Sequence, residues 1–124
     1  MNRRKFSVIA LIALFISFLG APLVTRADEK TPEGELRVGM EAGYAPFNWT
    51  QKDDRNGAVQ IQGDKAYAGG YDVQMAKKIA DKMNRKLVVV KTEWDGLLPA
   101  LQSGKIDAII AGMSPTAERR KEVD

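Results

Sequence analysis

Residues 72–90 read DVQMAKKIADKMNRKLVVV, where a helical repeat gives way to an apolar run. The apolar positions of the first part recur at the spacing of one helix face: Val73, Ala76, Ile79, Ala80 and Met83. This spacing predicts an amphipathic helix with Asp72 as its N-cap. Residues 87–90 are apolar and largely β-branched, which is typical of a strand buried on both faces of a sheet.

Strands and helices continue to alternate on both sides of this stretch. Residues 36–40 predict a first strand, and residues 106–111 predict a third. Between these strands Asp95 is expected to open a second helix that Gly104 ends. After the third strand, Thr116 is expected to cap a third helix. The resulting order of strand and helix favours an α/β fold, with a parallel sheet, flanking helices and right-handed crossovers.

The N-terminus has the three parts of a secretory signal peptide. A basic head at residues 3–5 precedes an apolar run at residues 8–19, and residues 25–27 form a small-x-small exit. The apolar run is shorter than the roughly 20 residues that a membrane span needs. We therefore expect residues 1–27 to be a signal peptide, with an uncleaved anchor as the alternative. The protein is then exported, to the periplasm or the outer face of the cytoplasmic membrane.

The charge of the chain does not indicate a nucleic-acid partner. The sequence has 19 basic and 16 acidic residues, for a net charge of +3. Residues 1–27 hold four of the basic residues and no acid, which leaves 15 basic and 16 acidic residues and a net charge of −1. A basic surface for nucleic acid is therefore not expected. The chain has neither histidine nor cysteine, and we expect no cofactor and no metal.

Two polar segments adjoin the first predicted strand and the loop after it. Residues 28–35 contain a proline and a glycine and predict a flexible leader. Residues 51–65 are rich in aspartate, asparagine and glycine and predict an exposed excursion or hairpin. The remaining chain, residues 36–124, is expected to form one incomplete α/β domain.

Two loops hold the candidate binding residues, because loops at the carboxyl ends of parallel strands form a ligand crevice. They contain, in chain order, Glu41, Tyr44, Phe47, Ala111, Gly112, Ser114, Thr116 and Arg119. Arg119 can offer a carboxylate a bidentate fork, assisted by free amides at the start of the third helix. These groups suit the zwitterion of an α-amino acid. Taken alone, each residue also fits an ordinary turn or a solvated surface.

Four stretches of the chain resemble the polar amino-acid class of bacterial extracellular solute-binding proteins that serve ABC importers. They read LRVGMEAGYAPF at 36–47, GYDV at 70–73, WDGLLPALQSGKID at 94–107 and AGMSPTAER at 111–119. Four such blocks in the same order make a more specific signal than any one of them. The resemblance implies that residues 36–124 are part of the first lobe of a two-lobed, hinge-closing periplasmic-binding-protein-like fold.

The resemblance implies that side chains on this lobe enclose the ligand from one side. Tyr44 would flank the ligand, Trp94 would pack on its other side, and Glu41 would reach its polar groups. A second acid for the ligand ammonium would come from the other lobe. For this reason we expect this 124-residue chain alone to bind its amino acid poorly.

The resemblance assigns the zwitterion itself to the loop after the third strand. The backbone at Ala111 and Gly112 would help hold the ammonium group. Ser114 and Arg119 would take the carboxylate, with Thr116 supporting the loop. The implied ligand is an amino acid, the implied partner is a membrane permease, and the full-length protein is expected to be a monomer.

Two other functions remain open on the same fold. An extracellular sensor of a receptor or kinase would need a membrane span and a signalling domain after residue 124. A periplasmic enzyme, either a dehydratase or a wall-cleaving enzyme, would need a general acid or base in the cleft. Glu41 is the one candidate for that role. We rank the three functions as binding protein, sensor and enzyme, and expect the protein not to be an enzyme.

Overall fold

Two β-sheets with helices packed against them form the computed structural model, which describes residues 33–124. Its elements are β1 (Glu35–Met40), β2 (Gly43–Tyr44), β3 (Asn48–Gln51), β4 (Val59–Gln60), β5 (Tyr67–Gly69), α1 (Tyr71–Lys82), β6 (Lys86–Lys91), α2 (Leu97–Gln102), β7 (Ala108–Ile109) and α3 (Arg119–Glu122). The predicted signal peptide, residues 1–27, and most of the predicted leader lie outside the described residues.

The predicted parallel sheet is confirmed, and β1 is its central strand. β6 and β7 pair with β1 on either side, both in parallel register. β7 is shorter than the third strand predicted at residues 106–111. The Asp107 amide nevertheless donates to the Arg37 carbonyl at 2.8 Å, and the Ile110 amide donates to the Gly39 carbonyl at 3.2 Å. Its residues therefore follow β1 for longer than the strand bounds indicate.

An ion pair fixes the register between β1 and β7. The Arg37 side chain donates to both carboxylate oxygens of Asp107, from Nε at 3.2 Å and from Nη2 at 2.9 Å. These hydrogen bonds hold the pKa of Asp107 below its ordinary value. The contribution of the pair to stability is therefore present above the ordinary carboxyl pKa, and it is lost as the pH falls through the lowered one.

The prediction that β6 is buried on both faces is wrong. Val89 is fully buried, but Val88 and Val90 are only half-buried. β6 is an edge strand, so its side chains are enclosed by one neighbouring strand instead of two. The polar excursion shields part of this edge, because Ile61 forms a parallel bridge with Val89 and the Gln62 amide donates to the Val89 carbonyl at 2.9 Å.

A second, antiparallel sheet has the order β2-β3-β5-β4. The predicted excursion at residues 51–65 is largely exposed, as expected, and holds a turn of 3-10 helix at Arg55–Gly57. It is not a self-contained hairpin, since β4 pairs with β5 beyond it. Strands of two to four residues are too short to show a periodic pattern, and the sequence did not reveal this sheet.

α1 begins at Tyr71, and the prediction that Asp72 is its N-cap is wrong. Gly70 occupies the cap position, with no side-chain hydrogen bond to the helix. Asp72 is buried, and its carboxylate accepts a hydrogen bond from Asn48 Nδ2 at 2.8 Å. The amide of Asp72 donates to the Phe47 carbonyl at 2.8 Å. The loop before β3, not a side chain, therefore satisfies the start of the helix.

α1 buries a narrower face than its apolar pattern predicted. Val73, Ala76 and Ala80 are buried, whereas Ile79 and Met83 are 40% and 49% exposed. The two exposed residues lie to one side of the buried stripe on the helical wheel. The core therefore takes only one side of the predicted face.

α2 ends where expected but begins differently. The prediction that Asp95 caps it is wrong, because Trp94–Gly96 form a turn of 3-10 helix before the helix starts, and no side chain caps it. At the other end Gly104 has φ of 79°, and the Lys105 amide donates to the Ala100 carbonyl at 2.9 Å. This left-handed glycine closes the helix as predicted.

Asn48→Leu is expected to destabilise the fold by about 1.5–3 kcal/mol at neutral pH, because it removes a donor from the buried Asp72 carboxylate. Burial raises the pKa of Asp72 and the Asn48 hydrogen bond opposes this rise. A raised folded pKa gives stability at low pH that is lost as the pH rises through it. The deficit of the variant should therefore shrink towards pH 4.

Urea unfolding between pH 4 and pH 8 measures this effect. Adding Asp72→Asn to the Asn48→Leu variant is the control, because it leaves no charge to bury and should recover part of the loss. A deficit that stays constant with pH would contradict the explanation.

Candidate functional site

An open pocket of about 340 Å³ lies at the carboxyl ends of the three parallel strands. Its lining residues are Glu41, Tyr44, Trp94, Gly112, Ser114 and Arg119. The structure thus brings six of the eight predicted site residues together, from loops that follow β1, β6 and β7. Of the other two, Ala111 is buried beneath the pocket loop, and Thr116 supports the loop from outside the lining.

One wall of the pocket is aromatic. The rings of Tyr44 and Phe47 lie 5.1 Å apart between centroids, with 35° between their planes. The sequence placed Phe47 with Glu41 and Tyr44 in a loop that is rich in aromatic residues, and Phe47 packs on Tyr44 without lining the pocket. The aromatic composition of this loop was the signal in the sequence for the aromatic wall. Tyr44 remains 48% exposed, so the wall has ring surface free to meet a ligand.

Gly112 lets the opposite loop approach this aromatic wall. A Cβ atom at this position would lie 3.1 Å from Tyr44 Cε1 and 3.3 Å from Phe47 Cγ. Its φ of 63° is also in the left-handed region that glycine adopts at little cost. The main chain of the loop at Gly112 therefore lies directly against the two rings. A site that presents backbone groups to a ligand needs such a close approach.

Arg119 is held at three points by its own loop and its neighbour. Its amide donates to Thr116 Oγ1 at 3.1 Å, and its Nη1 donates to the Ser114 carbonyl at 2.8 Å. Its Cζ lies 5.5 Å from the centre of the Trp94 ring. Among residues 33–124, its Nε and Nη2 have no hydrogen-bond partner. These two nitrogens form one of the guanidinium edges that can grip both oxygens of a carboxylate.

The predicted third helix is only partly formed. α3 spans Arg119–Glu122, with Glu118 at the cap position, so it begins later than predicted. Thr116 nevertheless accepts the Arg119 amide through its hydroxyl, as an N-cap side chain does. A four-residue helix has little dipole of its own. The attraction of this loop for a carboxylate therefore depends on the Arg119 guanidinium.

Glu41 is the one acid in the pocket lining, and it is exposed. Within the described part of the chain its carboxylate makes no hydrogen bond or ion pair. It follows β1 directly, at the carboxyl end of the central strand. A free carboxylate at this position can accept hydrogen bonds from an ammonium or guanidinium group of a ligand.

Neither a membrane-spanning helix nor a metal-binding cluster occurs between residues 33 and 124. None of the helices there is long and apolar enough to cross a membrane. The same residues contain no group of three or more acidic side chains placed to hold a metal ion.

Comparison with known proteins identifies relatives for most of the chain. The family described as bacterial extracellular solute-binding proteins, family 3, matches residues 36–124. A probable histidine-binding protein of Campylobacter jejuni is 36% identical over 123 residues, covering 92% of this chain and 43% of the relative. A cyclohexadienyl dehydratase of Pseudomonas aeruginosa is 29% identical, covering 97% of this chain and 40% of that enzyme. The chain thus spans less than half the length of these relatives.

Solved structures extend the likeness to the fold. A putative ABC-transporter binding component from Wolinella succinogenes, complexed with lysine, is 42% identical with a TM-score of 0.60, covering 74% of this chain and 34% of that one. The arginine-bound form of domain 1 from TmArgBP is 39% identical with a TM-score of 0.56, covering 71% of this chain and 60% of that domain. The predicted periplasmic-binding-protein-like fold, present here in part, is confirmed.

The domain 1 structure also bears on the expectation that this chain alone binds poorly. In that relative, one domain was crystallised with arginine bound. In that protein domain 1 therefore holds arginine without the second domain, and the poor binding that we expect of this 124-residue chain alone stays a prediction.

Proposed function

The chain belongs to the bacterial extracellular solute-binding proteins of family 3, and we propose that it is the substrate-binding component of an ABC importer for amino acids. It works outside the cytoplasm, where the full-length protein closes two lobes on the ligand and delivers it to a membrane permease. Relatives named as amino-acid-binding proteins support this role. The described residues, 33–124, include neither the second lobe nor the permease, so we propose both of them.

The observation that carries the proposal is the convergence of six residues on one pocket. The free Nε and Nη2 edge of Arg119 suits the α-carboxylate of an amino acid. The Ser114 hydroxyl and the main chain at Gly112 provide neutral polar groups beside it. The Tyr44 ring provides an apolar surface for the rest of the ligand. A zwitterion with a side chain requires this combination of groups.

We further propose that the ligand carries a cationic side chain. Glu41 is an exposed acid in the pocket lining with no partner among the described residues. A lysine or arginine side chain would give this carboxylate a charged hydrogen bond. Relatives named as histidine- and arginine-binding proteins, and the lysine complex, support this assignment.

We propose binding and not catalysis, although a dehydratase is among the relatives. General acid–base catalysis needs a group that can donate or accept a proton within reach of the substrate. Glu41 is the one acid lining the pocket, and the proposal uses it to pair with the ligand. The chain has no histidine or cysteine to take its place.

A thermal-shift screen of the full-length protein with the twenty standard amino acids tests the proposed function. A ligand at about a hundred times its Kd should stabilise the fold by about 2.7 kcal/mol. We expect saturable shifts with arginine, lysine or histidine. A protein that responds to none of the amino acids, or that consumes its ligand, would contradict the proposal.

Glu41→Gln is expected to weaken the binding of the cationic amino acid by about tenfold or more, because a charged hydrogen bond contributes about 1.5–3 kcal/mol. Calorimetric titration with L-arginine, L-lysine and L-glutamine measures the change. Glu118→Gln is the matched control, because Glu118 is an exposed acid of the same region that does not line this pocket. An equal loss for glutamine would show that Glu41 does not read the charge of the side chain.

A further inference from the structure

We propose that Trp94 is a positioning residue, which holds the Arg119 guanidinium in place for the ligand carboxylate. The resemblance in sequence assigned Trp94 a different role, as a ring that packs directly on the ligand. The proposal rests on the proposed amino-acid-binding function and explains how one part of that site is built.

The geometry places the guanidinium over the indole ring. Arg119 Cζ lies 5.5 Å from the centre of the Trp94 ring, within the distance of about 6 Å at which a cation–π interaction is attractive. The Ser114 carbonyl accepts a hydrogen bond from Nη1 at 2.8 Å. The indole ring contacts the face of the guanidinium, and the Ser114 carbonyl binds Nη1 at its end. Together the two contacts fix the position and the rotation of the guanidinium.

Trp94 is a firm support because its side chain packs against the buried core. It lies in the 3-10 turn between β6 and α2, and the Gly96 amide closes this turn by donating to the Glu93 carbonyl at 2.9 Å. Arg119, by contrast, is on a loop followed by a helix of only four residues. The Trp94 ring thus holds the long Arg119 side chain against the part of the lobe that packs on the buried core.

Holding Arg119 in this way favours carboxylate binding for an entropic reason. A free arginine side chain has several rotatable bonds, and it loses their conformational freedom when it binds. Here the ring and the Ser114 carbonyl restrict it in advance, while Nε and Nη2 stay unpaired among the described residues. The fork is therefore ready before the ligand arrives.

The two roles of Trp94 differ in which part of the ligand they affect. If the ring acts through Arg119, its loss weakens binding only when the ligand has a carboxylate. If the ring packs on the ligand itself, its loss weakens all ligands that share the same side chain. L-arginine and L-arginine amide share their side chain and ammonium group and differ in the carboxylate, so they separate the two roles.

Calorimetric titration of both compounds into the full-length protein and its Trp94→Leu and Trp94→Phe variants is the experiment. Trp94→Leu should raise the Kd of L-arginine by about three- to thirtyfold, because it removes the cation–π contact. Trp94→Phe keeps an aromatic face and should recover most of this loss. For L-arginine amide, which lacks the carboxylate, the loss in both variants should be at least about threefold smaller than for L-arginine, because only a direct contact of the ring with the ligand is then removed. Equal losses for the two compounds would overturn the proposal.

A measurement without ligand keeps the proposal separate from the proposed function. In the full-length protein, the difference in fluorescence between the wild type and its Trp94→Phe variant isolates the Trp94 emission, and acrylamide quenching of that emission reports how far the ring is covered. Arg119→Gln should increase the quenching, because the guanidinium no longer covers the ring, whereas Arg120→Gln should not. Unchanged quenching would overturn the proposal even if amino acids bind. Failure of every amino acid to bind, with increased quenching, would contradict the proposed function and leave the Trp94–Arg119 contact supported.

Discussion

Replacing Gly70 with alanine is expected to lower the free energy of unfolding by about 3 kcal/mol or more. Gly70 has φ of 116° and ψ of −178°, a backbone conformation that only glycine adopts readily, and a side chain there costs about 1–3 kcal/mol. A Cβ atom would also lie 2.5 Å from the Phe47 carbonyl oxygen. That carbonyl cannot simply move away, because it accepts the Asp72 amide at the start of α1.

Gly63→Ala is the matched control for this change. Gly63 also has a positive φ, of 75°, but no atom lies within 4 Å of the Cβ that alanine would add. Its substitution should cost only about 1–2 kcal/mol, from the backbone conformation alone. Urea unfolding followed by circular dichroism measures both variants. Equal losses would mean that the contact between Gly70 and the Phe47 carbonyl does not constrain the fold.

Arg119→Lys is expected to weaken amino-acid binding by about ten- to a hundredfold in the full-length protein. A lysine ammonium is a point charge and cannot grip both oxygens of a carboxylate as the planar guanidinium can. The loss of a charged hydrogen bond costs about 1.5–3 kcal/mol, which corresponds to this range. The shorter lysine side chain would also no longer place its charge over the Trp94 ring.

Calorimetric titration of the cognate amino acid decides the matter, with Arg120→Lys as the control. Arg120 is the neighbouring residue in α3, is exposed, and does not line the pocket at the carboxyl ends of the strands. Its replacement should leave the affinity within about twofold of the wild type. If the two variants bind equally well, Arg119 is a surface residue and the carboxylate is held elsewhere.

The parts of the fold that sequence predicted are those that repeat along the chain. The helical spacing in residues 73–80 and the apolar run in residues 87–90 each extend over several residues, and both elements are present. The pocket followed from the same pattern, because parallel strands deliver their following loops to one edge of the sheet. This is why Glu41 and Gly112, although far apart in sequence, were predicted to meet, whereas only the resemblance to a known family added Trp94 to them.

The parts that sequence did not predict depend on single contacts across the fold. Asp72 has the chemistry of an N-cap, but the carbonyls of a distant loop occupy that position and the carboxylate turns to Asn48 instead. Ile79 has the spacing of the buried helix face, yet it is 40% exposed. The contact between Trp94 and Arg119 joins two loops. No local pattern encodes a partner that lies tens of residues away.

The central position of β1 has a consequence for how the chain folds as it is synthesised. The strand made first is the one that needs two neighbours, and these neighbours come about 50 and 70 residues later in the chain. A ribosome adds roughly 5–20 residues per second, so β1 waits several seconds for its first partner. During this time the nascent chain lacks its sheet and remains open to factors that keep proteins unfolded. Such a delay would suit the proposed export, in which the polypeptide crosses a membrane before it folds.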